Sequence, residues 1–353
     1  SYGFGSMVAR EASVLNKKQF GNLVAAGGAV MLLNCVAIVL ILLMLSYFSL
    51  FESSFGQSLI VLIVILGFVS GFADVYTKIL VAFNKSREFS ISQTTKVTLI
   101  ALFTLMPIVF YSSISSYERL LAITFGAVLG LIVTYRFIAS LLVIKGASRS
   151  NILSIYSYGS KVLPQVISNW AKMGADKVFV AAAIGVSELG AYALAVTLCS
   201  LIMVVGNALN NSYIARSMSY YQSKKIMDLK ALRHSYTKIL VFSSLTITVG
   251  IFIFRFSLWP AEYHVDILVI FFLVSSYFLQ AVYLLYVKIF MFQLKMGVLG
   301  AMNLLFVAIY ILCLLVVDLN TQLVAFIFLS YNFGLTFYVV WTARSEERGM
   351  VLV

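Results

Sequence analysis

The sequence predicts an all-α protein with many membrane-spanning helices. Hydrophobic residues make up 62% of the 353 residues and charged residues only 11%, a composition too apolar for a soluble domain. Apolar runs long enough to cross a bilayer as helices follow one another along the chain. The connectors between these runs are short and hold most of the basic residues, which is typical of a polytopic membrane protein.

About ten runs have the length and apolarity of membrane spans. We interpret residues 1–9 as the last turns of a further span, which ends at a polar connector. The complete runs are predicted, in chain order, at residues 23–47, 58–83, 97–111, 120–144, 161–185, 189–213, 236–256, 266–292, 298–317 and 322–343.

The charges in the connectors predict the orientation of the chain. Alternate connectors are basic, and the others are short and mostly acidic, so the positive-inside rule makes the basic face and the C-terminus cytoplasmic. This distribution explains the net charge of +12 without a nucleic-acid partner, and it suits anionic lipid headgroups or an anionic substrate. The basic connectors hold Lys17, Lys18, Lys85, Arg87, Lys145, Arg149, Lys224, Lys225, Arg233, Lys295, Arg344 and Arg348.

Two short motifs recur at nearly the same separation. Ser-Tyr-x-x-x-Ser-Met occurs at 1–7 and 212–218, and Tyr-x-Lys-Ile occurs at 76–79 and 286–289. The agreement predicts two six-helix bundles related by a parallel repeat, because each copy has an even number of spans. Residues 1–150 would belong to the N-terminal bundle and residues 151–353 would form the C-terminal one. Alignment of the copies predicts that the first span and most of the second lie upstream of Ser1.

The predicted span at 161–185 carries charged residues near its middle. A charged residue at the centre of a spanning helix costs roughly 2.5 to 3.5 kcal/mol on insertion scales, so these residues should face a protein interior or a water-filled cavity. The alternative is that Lys172 and Asp176 form a mutually neutralising structural pair. Lys177 lies about a quarter turn from the polar stripe. This stripe has helical spacing and contains Gln165, Ser168, Asn169, Lys172 and Asp176.

Other polar groups within spans give further candidates. Asp74 has Lys78 four residues later, although Lys78 is also near enough to the cytoplasmic end to snorkel. Arg136 lies past the middle of its span. Asn207, Asn210 and Asn211 close the span at 189–213, either as ligand contacts or as hydrogen bonds between helices. A weaker stripe of Ser276, Gln280 and Tyr283 is interpreted as packing.

These candidates divide into two roles. Asp176 and Asp74 are the candidate ion-coupling residues, because a carboxylate can titrate or pair during coupling to an ion gradient. The candidate substrate-binding residues are cations and amides, namely Lys172, Lys177, Arg136, Asn169, Asn207 and Asn211.

No sequence feature requires an enzyme, a metal or a cofactor. The cysteines Cys35, Cys199 and Cys313 lie in separate apolar runs without CxxC spacing, and neither His234 nor His264 has a partner at metal-ligand spacing. Nucleophile elbows, phosphate-cradling glycine loops and zinc motifs are absent outside the apolar runs. We therefore predict a protein without catalytic activity or a cofactor.

The run from Pro164 to Ala195 resembles the start of the second half of O-antigen and polysaccharide flippases. In that family a span with an Asp near its outer third precedes a short loop and a Gly-x-Tyr, and here these are Asp176, the loop at Glu188 and Gly190-Ala191-Tyr192. The opening Tyr-Gly-Phe-Gly at residues 2–5 is also similar to the end of the second span in these flippases.

The resemblance implies a member of the multidrug, oligosaccharidyl-lipid and polysaccharide exporter superfamily, with two six-helix bundles around a central cavity. Its expected substrate is an undecaprenyl-diphosphate-linked oligosaccharide, such as an O-antigen repeat unit of lipopolysaccharide, moved across the bacterial inner membrane by alternating access. The expected partners are this substrate, membrane lipids, a proton or sodium ion, and other polysaccharide-assembly proteins. The alternatives are a drug or cation antiporter of the same superfamily and a membrane-embedded polysaccharide polymerase or glycosyltransferase.

Overall fold

A computed structural model describes residues 4–11, 15–47, 57–83, 85–111, 116–139, 146, 148–257, 265–293, 295–317 and 320–351. The regular secondary structure in these ranges is entirely helical, which confirms the all-α prediction. Ser1, Lys145 and His264 lie outside the described residues. The described helices are α1 (Phe4–Glu11), α2 (Lys17–Tyr47), α3 (Gln57–Ala82), α4 (Ser86–Tyr111), α5 (Ser116–Ile138), α6 (Arg149–Ala183), α7 (Val186–Cys199), α8 (Leu201–Gln222), α9 (Ile226–Ser257), α10 (Ile267–Tyr286), α11 (Lys288–Phe292), α12 (Met296–Val316) and α13 (Thr321–Val351).

Eight helical segments in the described part of the chain are long and apolar enough to cross a bilayer, so the chain is a multi-pass membrane protein. Two of these segments combine neighbouring helices, α7 with α8 and α10 with α11. The predicted spans at 97–111 and 161–185 fall largely in α4 and α6, helices of 26 and 35 residues.

The chain divides into two compact units, Ser1–Ser160 and Lys161–Val353. Their helices correspond at a separation of 210 residues: Gln57–Ala82 of α3 becomes Ile267–Phe292, the combined extent of α10 and α11. Helix α2 corresponds in the same way to α9. The first residue of α12, Met296, is 210 residues after the first residue of α4, Ser86. Packing follows the same pattern, because α3 contacts α1, α2 and α5 while α10 contacts α8, α9 and α13. These matches support the duplication, and the boundary after residue 150 stays a prediction.

The core of the first unit is apolar where α1, α2, α3 and α5 meet. Phe4, Phe20, Val24, Ile79 and Ile138 are buried there, and each belongs to one continuous hydrophobic cluster. Burial of such side chains stabilises a fold by about 1.5 to 3 kcal/mol each in water, and inside a bilayer their close packing takes over this role.

The second unit is organised around α10, which packs against α7, α8, α9 and α13. The helix begins at Asp266, whose carboxylate accepts a hydrogen bond from the backbone N–H of Leu268. Helix α8 approaches α10 closely at Gly206, where an added Cβ would lie 2.6 Å from the Cβ of Ala281. This central position lets polar residues of α10 meet those of the surrounding helices.

Candidate substrate and ion site

Helix α6 carries the predicted polar stripe and approaches α12 closely at Gly300. Pro164 lies inside α6 and has no N–H for the helical ladder. The hydroxyl of Ser168 donates to the Pro164 carbonyl at 2.7 Å. Gly300 of α12 faces this turn, since a Cβ added there would lie 3.3 Å from the Pro164 Cβ. The glycine therefore allows the stripe to lie against the interior of the second unit.

Lys172 of α6 is half-buried among polar and aromatic side chains of this unit. Its Nζ donates to the Gln280 Oε1 at 3.4 Å and lies 5.9 Å from the centre of the Tyr331 ring. A cation over an aromatic ring is attracted by the negative face of the ring, but neither partner neutralises the charge. Helices α10 and α13 thus provide a polar environment for a cation without pairing it.

Asp176 is 3% exposed and is held by hydrogen bonds. Its Oδ2 accepts from the Tyr192 hydroxyl of α7 at 3.1 Å, and its Oδ1 accepts from the backbone N–H of Lys177 at 2.9 Å. Lys172 and Asp176 therefore have different partners, and the structural-pair alternative finds no support in the described residues.

A second polar contact lies two turns earlier on α6. The Tyr283 hydroxyl accepts from the Gln165 side-chain amide at 3.5 Å and from the Asn303 side-chain amide at 3.2 Å. Two residues of the weaker polar stripe on α10, Gln280 and Tyr283, therefore form hydrogen bonds with the α6 stripe. The stripe that we interpreted as packing thus also supplies polar contacts.

Several buried polar groups near these contacts have no hydrogen-bond partner among the described residues. They are the Ser276 hydroxyl, the Gln280 side-chain nitrogen, the Tyr310 hydroxyl and the Tyr331 hydroxyl. Buried polar groups are nearly always satisfied by protein, water or a ligand. A cation with such groups on the helices around it is suited to bind a polar or anionic group.

The side chains of the other candidates in the second unit take no part in these contacts. The Nζ of Lys177 donates to the Met173 carbonyl of its own helix at 2.9 Å. Asn169 and Asn207 are exposed, and Asn211 is half-buried on α8.

In the first unit, Lys78 and Asp74 form the predicted ion pair at 3.0 Å, with side chains 36% and 48% exposed. Gly5 of α1 makes room for this pair, because an added Cβ would lie 2.7 Å from the Lys78 Cδ. Exposed pairs of this kind contribute about 0 to 1 kcal/mol in water. Arg136 is exposed on α5.

The sequence interpretation missed Tyr192, Asn303 and Tyr331 as partners of the α6 stripe. Each is an isolated polar group on an apolar helix, a pattern that occurs equally in packing residues. Two signals were available: Tyr192 belongs to the Gly-x-Tyr motif, and Asn303 is an amide within the apolar helix α12.

No protein-family profile and no curated protein sequence matches the chain significantly. Solved structures do match. An outward-facing multidrug resistance MATE family transporter of the MOP superfamily has a TM-score of 0.71 and 16% identity, covering 100% of this chain and 84% of that chain. A MATE structure in the straight conformation gives the same TM-score, identity and coverage.

A third match is a MOP superfamily transporter from Pyrococcus furiosus, described as having a binding pocket of reverse polarity that suggests a different function. Its TM-score is 0.69 at 16% identity, covering 99% of this chain and 83% of that chain. At these identities the likeness shows the fold, which is that of MATE transporters.

Proposed function

We propose that this chain, which has the fold of MATE transporters, moves a lipid-linked anionic oligosaccharide across the bacterial inner membrane by alternating access. The substrate would be an undecaprenyl-diphosphate-linked repeat unit, such as that of an O-antigen. The observation that carries this proposal is the half-buried cation Lys172, which lies in the interior of the second unit without a carboxylate partner among the described residues.

An anionic substrate follows from the chemistry around Lys172. Its Nζ retains donor capacity beyond the contact with Gln280, and the side-chain nitrogen of Gln280 is a buried donor without a partner in the described structure. Charge-assisted hydrogen bonds to a diphosphate or an acidic sugar would satisfy both groups. A cationic drug would instead be repelled, which disfavours the antiporter alternative.

Asp176 is proposed to couple transport to a proton or sodium gradient. Its carboxylate is buried beside the Tyr192 hydroxyl and has no basic side chain as a hydrogen-bond partner among the described residues. Protonation or cation binding would therefore neutralise a buried charge. The conformation in which Asp176 is neutral would then become more stable relative to the other. Asp74 is the second candidate for ion coupling. It lies in the first unit, where its partner is Lys78.

The remaining features of the proposal follow from charge and family resemblance. The basic connectors and the C-terminus would lie in the cytoplasm, and Lys177 stays a candidate contact for an anionic substrate. Other polysaccharide-assembly proteins and membrane lipids would be partners.

Complementation tests the proposed function. The full-length gene is expressed in a bacterium whose own O-antigen flippase has been deleted, and both long-chain surface polysaccharide and the leaflet of the lipid-linked unit are measured. We expect restored polysaccharide, with the unit no longer confined to the inner leaflet. The proposal is wrong if the unit stays there in cells that contain the protein. A unit that reaches the outer leaflet without the gene yet stays unpolymerised would favour the polymerase alternative.

A further inference from the structure

A basic cavity of about 790 Å³ opens at the end of the second unit that carries its basic connectors. The first turns of α9 and the last turns of α10 and α13 form it, and the proposed transport site does not use it. Four of its side chains are cations of Lys or Arg, and one is a carboxylate. The lining residues are Lys230, Arg233, His234, Thr237, Tyr286, Arg344, Glu347 and Arg348.

A buried ion pair forms the wall of this cavity. Arg233 is 5% exposed and Glu347 is 2% exposed, and the guanidinium donates to both carboxylate oxygens, with Nη1 3.2 Å from Oε2. The Tyr221 hydroxyl donates to the Glu347 Oε1 at 3.0 Å, and burial raises the pKa of Tyr221, which keeps this donor protonated. The Tyr286 ring lies 4.1 Å from the Arg233 Cζ. The single carboxylate is thus already neutralised.

The other three cations of the cavity are not neutralised. Lys230, Arg344 and Arg348 are exposed and form no ion pair within the described part of the chain. Two of them are arginines, whose planar fork matches the oxygens of a phosphate. Three cations around one cavity repel each other unless an anion lies between them.

The corresponding place in the first unit shows that the fold does not require this cavity. At a separation of 210 residues, Lys230, Arg233 and His234 of α9 correspond to Phe20, Leu23 and Val24 of α2. These three residues are buried in the apolar core of the first unit. The first turns of α2 are thus packed into a core in the first unit, whereas the equivalent turns of α9 line an open, basic cavity in the second unit.

Exposed apolar surface continues from the cavity along α13 and α9. On α13, Trp341 and Phe337 lie three and seven residues before Arg344, and they are 64% and 66% exposed. On α9, Val241 and Leu245 continue the face of His234 at helical spacing and are also exposed. In a membrane protein such surfaces contact lipid chains, with tryptophan near the headgroup level.

We propose that this cavity binds the phosphate headgroup of an anionic membrane lipid, whose chains lie against the apolar faces of α9 and α13. Lys230, Arg344 and Arg348 would contact the phosphate oxygens, and Trp341 would lie beside the glycerol region. The lipid occupies a place that the first unit fills with core residues, so it stabilises the cytoplasmic end of the second unit. This inference does not depend on the substrate of the transporter.

Fluorescence quenching of Trp341 tests this site. The sequence contains three tryptophans, so the W170F/W259F variant of this 353-residue chain leaves Trp341 as the reporter. The protein is reconstituted into phosphatidylcholine vesicles, to which dibrominated phosphatidylglycerol or dibrominated phosphatidylcholine is added. Each basic residue near an anionic lipid strengthens binding roughly fivefold, so we expect clear preference for phosphatidylglycerol. In the R344Q/R348Q variant this preference should decrease by roughly tenfold or more.

The matched control is K224Q/K225Q, which removes two exposed cations from the turn between α8 and α9, outside the cavity. This variant should keep the preference. The proposal would be overturned if both lipids quenched Trp341 equally. It would also be overturned if R344Q/R348Q and K224Q/K225Q lost the preference for phosphatidylglycerol to the same extent. Competition by millimolar inorganic phosphate that abolishes the preference would also overturn it, because the site would then bind free phosphate rather than a lipid.

Discussion

Replacement of Glu347 by alanine is expected to destabilise the protein by about 3 to 5 kcal/mol, the usual cost of leaving a buried charge without its partner. Arg233 would stay buried beside Tyr286 without a carboxylate, and Tyr221 would lose its acceptor. The measurement is the thermal unfolding midpoint of the purified protein in detergent, together with the yield of monodisperse protein. We expect a much lower midpoint and a reduced yield.

Two comparisons separate the buried pair from a general effect of mutation. Glu346, the neighbouring residue, pairs with Lys295 at 2.5 Å on the surface, so E346A should cost less than about 1 kcal/mol. The double variant R233L/E347L replaces both charges by apolar side chains, as Leu23 does in the first unit, and should be far more stable than E347A. If E347A and E346A had equal unfolding midpoints, Glu347 would not neutralise a buried charge.

Replacement of Lys172 by glutamine is expected to reduce export of the lipid-linked oligosaccharide by about 10-fold to 100-fold. Charge-assisted hydrogen bonds contribute roughly 1.5 to 3 kcal/mol, and glutamine keeps a donor but loses the charge. The fold should tolerate the change, because the charge of Lys172 is not neutralised by a carboxylate among the described residues. The measurement is surface polysaccharide per cell at equal amounts of membrane-inserted protein.

The control for this prediction is K161Q, on the same helix. Lys161 is exposed, and its variant should export at the wild-type rate. If K172Q restored surface polysaccharide as well as K161Q, Lys172 would not contact the substrate. A K172Q protein with a lowered unfolding midpoint would instead assign Lys172 a structural role.

Hydropathy predicted the apolar part of the membrane-spanning helices but not their full length. Helix α9 begins at Ile226, ten residues before the predicted span, and α13 continues to Val351. Both extensions are polar and lie in segments interpreted as connectors. An apolar run marks the part of a helix that lies in lipid, whereas backbone hydrogen bonds continue the helix into the polar interface.

The sequence also predicted part of the candidate site. Lys172 and Asp176 were found because a charge in an apolar helix is costly, which is a local property. Their partners on α7, α10 and α13 depend on how the helices pack, which the sequence pattern does not specify. Arg233 was interpreted only as an orientation signal, because its partner Glu347 is 114 residues away along the chain.

The most direct test of the proposed transport is the sidedness of a lipid-linked oligosaccharide in reconstituted vesicles. The purified full-length protein is inserted into vesicles that carry the undecaprenyl-diphosphate-linked unit in the inner leaflet, and an impermeant glycosidase or lectin reports its arrival outside. We expect the outside fraction to rise in the presence of protein and an ion gradient, and to rise far more slowly with K172Q. An outside fraction that matches protein-free vesicles would contradict the proposed function.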